Sequence, residues 1–185
     1  MTRSIVVAAT LALVSLPAGV ALSQGATPGA RVEADAKGTA IARQDREFID
    51  DAAQGGLYEV KIGQLAQQKA VADDVKQFGK HMVDEHTAAN GRLQQLAQQK
   101  GLTLPAQLDK KHQDRIDSLA KKSGLDFDKA YVSHMIDDHK KDVDSFEKAS
   151  KDAKDPDVKG FASTTLPTLR DHLTMVQSLK ERLKM

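Results

Sequence analysis

Apolar residues recur at three- and four-residue spacing through four long segments of this chain, the periodicity of amphipathic helices. In the first, from about Asp45 to Lys69, the stripe is Phe48, Ile49, Ala52, Gly56 and Val60. In the second it is Val75, Phe78, Met82, Ala89, Leu93 and Leu96. Asp73 is placed to cap that helix and Gly101 to end it. The third, capped by Asp126, runs from Phe127 to about Asp152 with Tyr131, Val132, Met135, Val143 and Phe146 inward. The fourth opens on Asp155-Pro156, a capping residue followed by proline at the first helical position. Its stripe is Val158, Phe161, Thr165, Leu169, Val176, Leu179 and Leu183, and Pro167 inside it is expected to bend it. Gly55, Gly56 and Gly63 each cost the first helix about 1 kcal/mol relative to alanine. Their presence predicts close packing on that face.

The second and third helices are separated by Leu102 to Gly124, opened by Pro105, where Leu108, Ile116 and Leu119 predict a short helix. That link is long enough to return along the bundle. The expected fold is therefore all-α: a ferritin-like four-helix bundle over residues 44–185, with a short crossover helix between helices two and three. Upstream, Arg3 precedes the apolar run Ile5 to Leu16, which Pro17 and Gly19 break. The run is too short to cross a bilayer and reads as a signal peptide over 1–23, with cleavage expected after Ser23. Residues 24–43, rich in small residues and without periodicity, read as a flexible linker. No later segment is apolar enough to span a membrane, so the mature chain is expected in the periplasm or secreted.

Composition narrows the chemistry. The chain has 185 residues, 27 Lys and Arg against 26 Asp and Glu, and no cysteine. Disulfides, thiolate metal sites and cysteine nucleophiles are excluded. A formal net charge of +1 gives no electrostatic case for nucleic acid. No serine–histidine–aspartate order or phosphate-binding glycine loop points to hydrolase or nucleotide chemistry.

Histidine is the residue type that stands out. The hexapeptide His81-Met82-Val83-Asp84-Glu85-His86 returns nearly unchanged as His134-Met135-Ile136-Asp137-Asp138-His139, and Asp171-His172 follows later. At about 100° per residue, His86, His139 and His172 fall within their apolar stripes and Glu59 at the edge of its own. His81 and His134 lie about 140° away from their partners and are expected at the rim or in solvent. Glu85, Asp138 and Asp171 point off the stripes, as solvated flanks or as supports for neighbouring groups. Glu59 and His86 stand at nearly equal distances along the chain on either side of the connection near Val71. His139 and His172 flank the connection near Lys154 in the same way. At about 1.5 Å per residue, the mismatch in each pair is under one turn, so the four groups should share a level near mid-bundle.

A carboxylate and three imidazoles at one level can form a hydrogen-bonded layer that fixes helix register. They can equally form a site for Zn, Cu or Fe. Met82, Met135 and Met175 each lie about one turn from one of these histidines. Thioethers beside imidazoles suit Cu(I), although methionine also fills core gaps.

Several stretches carry a resemblance to a known family. They include Ala52-Ala53-Gln54-Gly55-Gly56-Leu57-Tyr58-Glu59-Val60, Met82 to Asn90, Phe127 to Tyr131, Asp138-His139 and Leu166 to His172. Over about Gln44 to Leu183 the chain resembles exported bacterial ferritin-like proteins grouped as domain of unknown function 4142. That resemblance implies a four-helix bundle in the cell envelope and no established activity. Glu59, His86, His139 and His172 match its recurring polar positions. Carboxylate-bridged di-iron bundles carry Glu-x-x-His on each of two helices, whereas Val83, Ile136 and Leu169 stand three before these histidines. Ferroxidase or oxygen-activating chemistry is therefore not expected.

Three readings follow from the residues. The first is an exported, non-catalytic bundle that binds a metal ion in metal handling or envelope stress. The second is a structural or interaction module whose polar layer only sets register. The third is a redox enzyme with a mononuclear centre.

Overall fold

The computed structural model describes residues 41–184. The expected signal peptide, 1–23, and all but the last residues of the expected linker, 24–43, lie outside that range. Five helices follow one another: α1 (Arg43–Lys69), α2 (Asp73–Gln99), α3 (Lys110–Ala120), α4 (Gly124–Asp152) and α5 (Pro156–Arg182). α1 packs chiefly on α2 and α4 chiefly on α5. The two hairpins close against each other into an all-α, ferritin-like four-helix bundle, and α3 is the short helix of the crossover. Among the described residues no helix is long and apolar enough to cross a membrane.

The helix ends obey local rules in part. Asp155 accepts from the backbone N–H groups of Asp157 and Val158 and caps α5 as its sequence requires. Gly101, at φ +66°, follows the end of α2 in the left-handed region. Asp73 and Asp126 do not cap. α2 starts at Asp73 itself and α4 two residues before Asp126, with no side-chain cap on either helix. The N–H groups ahead of α2 are satisfied from another helix: Asp128 of α4, fully buried, accepts from Val71 and Ala72. Asp45 of α1 does the same for the α4–α5 turn, accepting from Lys154 and Asp155.

These paired devices expose an internal duplication. One constant offset along the chain carries Lys69, the end of α1, onto Asp152, the end of α4. The same offset carries Asp73 and Gln99, the ends of α2, onto Pro156 and Arg182, the ends of α5. It also carries Asp45 onto Asp128 and Asp74-Val75-Lys76-Gln77-Phe78 onto Asp157-Val158-Lys159-Gly160-Phe161. The visible hexapeptide repeat is not this duplication, because it relates α2 to α4.

Glycines set the α1–α2 spacing. A Cβ on Gly63 would meet the Gly79 carbonyl oxygen at 2.7 Å, and one on Gly79 would meet the Gly63 oxygen at 2.8 Å. Gly56 leaves room for the Asn90 side chain. Gly55 faces open space, so only two of the three expected glycines mark close packing.

The core divides into two apolar clusters. One gathers Ile62, Val75, Phe78, Tyr131, Met135 and Val176; the other gathers Ile49, Leu93, Phe146, Phe161 and Leu169. On α2, α4 and α5 the change from one cluster to the other falls at a buried histidine, and on α1 it falls between Ala53 and Tyr58, next to the buried Glu59.

Candidate metal centre

Glu59 of α1, His86 of α2, His139 of α4 and His172 of α5 fill that boundary, each no more than 5% exposed. Ring centroids lie 5.9 Å apart for His86–His139, 5.2 Å for His86–His172 and 5.3 Å for His139–His172. One nitrogen from each ring lies within 4.8 Å of the others. The level predicted from position along the chain is the level observed, because every α-helix keeps the same rise per residue.

Hydrogen bonds fix ring orientation and, in part, tautomer. His139 Nδ1 lies 2.9 Å from the Met135 carbonyl oxygen, which can only accept. That nitrogen therefore carries the proton, and Nε2 presents a lone pair. His139 Nε2 lies 3.3 Å from His172 Nδ1. His86 Nδ1 lies 2.9 Å from Glu59 Oε2, and Glu59 Oε1 is 3.6 Å from His139 Nδ1. Glu59 thus faces the Nδ1 edges of two rings. The buried atoms Glu59 Oε1, His86 Nε2 and His172 Nε2 are left without a hydrogen-bond partner.

Burial sets the charge states. It pushes the His172 imidazole down to about 3, with His86 and His139 adding to the effect. It pushes His139 down as well, against the pull of Glu59. Both rings are neutral near pH 7 and keep a lone pair. Burial alone would raise the Glu59 carboxyl, but the interaction with His86, 2.9 Å away, outweighs it and holds the group below the usual range.

Asp142 is the site residue that periodicity missed. Burial, followed by the Glu59 charge, pushes its carboxyl well above the usual range. It stands three residues after His139, off the apolar stripe. The duplication was the signal that could have found it, since the offset that relates the hairpins carries Glu59 onto Asp142. Both acids line a cavity of about 30 Å³ together with His86 and Thr165. That is room for about one water molecule or one ion.

The flanking groups divide. His81 and His134 are half-buried at the rim, and Asp171 is exposed, as expected. Asp138 is not a solvated flank: Arg115 of α3 reaches it at 2.9 Å, and its side chain is 13% exposed. The crossover helix thus supplies a cation that sequence spacing along α4 could not reveal. Met82 and Met135 are core side chains, whereas Met175 is 39% exposed.

The arrangement offers three imidazole nitrogens backed by a carboxylate and a carbonyl, which is donor chemistry suited to Zn, Cu or Fe. Known structures show the fold. A DUF305 fragment from Deinococcus radiodurans has a TM-score of 0.68 at 13% identity, covering 77% of this chain and 98% of that one. CopM in its Cu(II)-bound form has a TM-score of 0.64 at 16% identity, covering 75% and 96%. CopM in its Cu(I)-bound form has a TM-score of 0.63 at 14% identity, covering 75% and 96%. At such identities the likeness is one of fold. No curated protein matches the chain in sequence. The family model described as Domain of unknown function (DUF4142) matches residues 30–179, most of the sequence, and the chain belongs to that family.

Proposed function

We propose that this chain is an exported bundle protein that binds one transition-metal ion at His86, His139 and His172, in metal handling or envelope stress. Glu59, named with them as a ligand from sequence, serves in this reading mainly to orient His86. The carrying observation is the convergence of three buried rings, with an unpartnered nitrogen on His86 among them. A layer that only set register would be expected to pair that atom, because an unpaired buried polar atom costs about 1–3 kcal/mol. The 3.3 Å between His139 Nε2 and His172 Nδ1 matches the ligand–ligand edge of about 3.3 Å for a tetrahedral ion with bonds near 2.0–2.1 Å. That CopM is named in Cu(I)- and Cu(II)-bound forms supports keeping copper among the metals to test on this fold. The leader pattern over 1–23 supports export.

The test is metal analysis of tag-free protein, with thermal melts in the presence of Zn, Cu, Ni and Fe. One ion per chain is expected. Free metal at a hundredfold over Kd should stabilise by about 2.7 kcal/mol, or about 5–10 °C in Tm. His139→Ala should abolish both. Absence of stoichiometric metal together with unmoved melts would leave the register-setting module as the reading.

A further inference from the structure

His172 has two faces. Its Nδ1 lies 3.3 Å from His139 Nε2, within the buried cluster. Its Nε2, buried and without a partner, faces the opposite way, 4.0 Å from Glu85 Oε2. The other oxygen of Glu85, Oε1, lies 3.9 Å from His81 Nε2. The His81 and His172 ring centroids are 5.2 Å apart. These separations are too long for hydrogen bonds. They bring three donor groups to one place, and the ligating atoms of all three residues lie within 4.8 Å of one another. His81, Glu85 and His172 open onto a surface depression of about 460 Å³ that Asp171 and Met175 also line. Its described lining includes two carboxylates and neither lysine nor arginine.

We propose that His81, Glu85 and the outward nitrogen of His172 form an outer cation site that loads the buried imidazoles. This rests on the metal-binding reading above and assigns its route of entry. Borderline divalent ions such as Zn(II) and Cu(II) accept this mixed imidazole and carboxylate set, and Met175 adds an adjacent thioether for Cu(I). His172 belongs to both sites, so an ion held outside is one imidazole ring away from the buried cluster. The first copy of the hexapeptide then has a division of labour, in which His81 captures and His86 retains.

Uptake kinetics separate this from a lone buried site. Apo protein mixed with Zn(II) in a stopped-flow instrument, with a chromophoric chelator reporting free ion, gives the loading rate. The double variant H81Q/E85Q is expected to load at least tenfold more slowly. It should still reach one ion per chain, and its apo melt should be unchanged, since both side chains are about two-fifths exposed. Asp171→Asn removes a charge from the same depression without removing one of the three ligands, and should alter the rate less than threefold. A wild-type rate in the double variant would overturn the outer site. So would equal slowing by Asp171→Asn, which would mean that the local field alone guides the ion. Failure of the wild-type chain to take up metal at all would overturn the buried centre and the route together. If the double variant does not fold, His81→Gln alone carries the same comparison.

Discussion

Glu59 keeps its charge in a place where burial alone would neutralise it, and the reason is the imidazole beside it. The histidines show the converse, since burial keeps His139 and His172 neutral. Their folded pKa values lie below the unfolded value of about 6.5, so the unfolded chain binds protons first as pH falls. The stability that these two rings contribute is therefore complete above about pH 6.5 and is lost as pH falls, at about 1.4 kcal/mol per pH unit for each imidazole, down to about pH 3 for His172. Glu59, whose folded value is depressed, adds a loss in the same direction below about pH 4.5. Asp142, whose folded value is raised, works the other way above its unfolded value of about 3.9. The remaining titratable neighbours of His172 are His86, His81 and Glu85. Urea titrations of metal-free protein between pH 7 and pH 5 should show this acid limb. His172→Leu should make it shallower by about one proton's worth; an unchanged slope would mean that His172 is already charged in the fold. The three histidines and Glu59 could be placed from helix angle and count, because an α-helix repeats strictly. Arg115 could not, because its significance depends on a neighbour in another element, and Asp142 is reached only through the offset that relates the hairpins.

At the scale of elements, spacing along the chain predicts where helices run and only part of how they end. Asp155-Pro156 and Gly101 act locally and are legible. The turn before α2 is capped by Asp128 from a distant helix, and no local rule anticipates that. Glycine shows the same division. Gly55 and Gly63 look alike in sequence, yet one faces open space and the other a backbone carbonyl. Gly63→Ala should destabilise the protein by about 1–3 kcal/mol through overpacking, offset in part by about 1 kcal/mol of helix propensity. Gly55→Ala should stabilise it by up to about 1 kcal/mol. Chemical denaturation of the pair checks both signs. Two equal stabilisations would show that α1 and α2 do not cross as closely as described.

For the whole molecule, the duplicated hairpins explain why the bundle closes as it does. Each hairpin places an aspartate from its first helix against the turn of the other, one at each end of the bundle. Hydrogen bonds to a charged acceptor contribute about 1.5–3 kcal/mol. Asp45→Ala and Asp128→Ala should each cost about that much in denaturation experiments. The sites are at opposite ends, so the double variant should be additive to within about 0.5 kcal/mol. A large coupling would show that the two turns form one cooperative unit. The candidate site departs from this symmetry. The offset between the hairpins pairs Glu59 with Asp142, but it sets His139 against Gly56, His172 against Ala89 and His86 against Leu169. The carboxylates follow the duplication and the imidazoles do not.

The sequence by itself determined the helices, their order and the level at which four polar side chains meet. Those properties depend on a repeat of about 3.6 residues and a fixed rise, which the chain carries within each segment. Tertiary structure alone decided which nitrogen of each ring faces a partner and which acid lies beside Glu59. It also decided that His172 looks both inward and outward. Hydrogen-bond partners and dielectric surroundings are supplied by other helices, and they exist only once the bundle has closed.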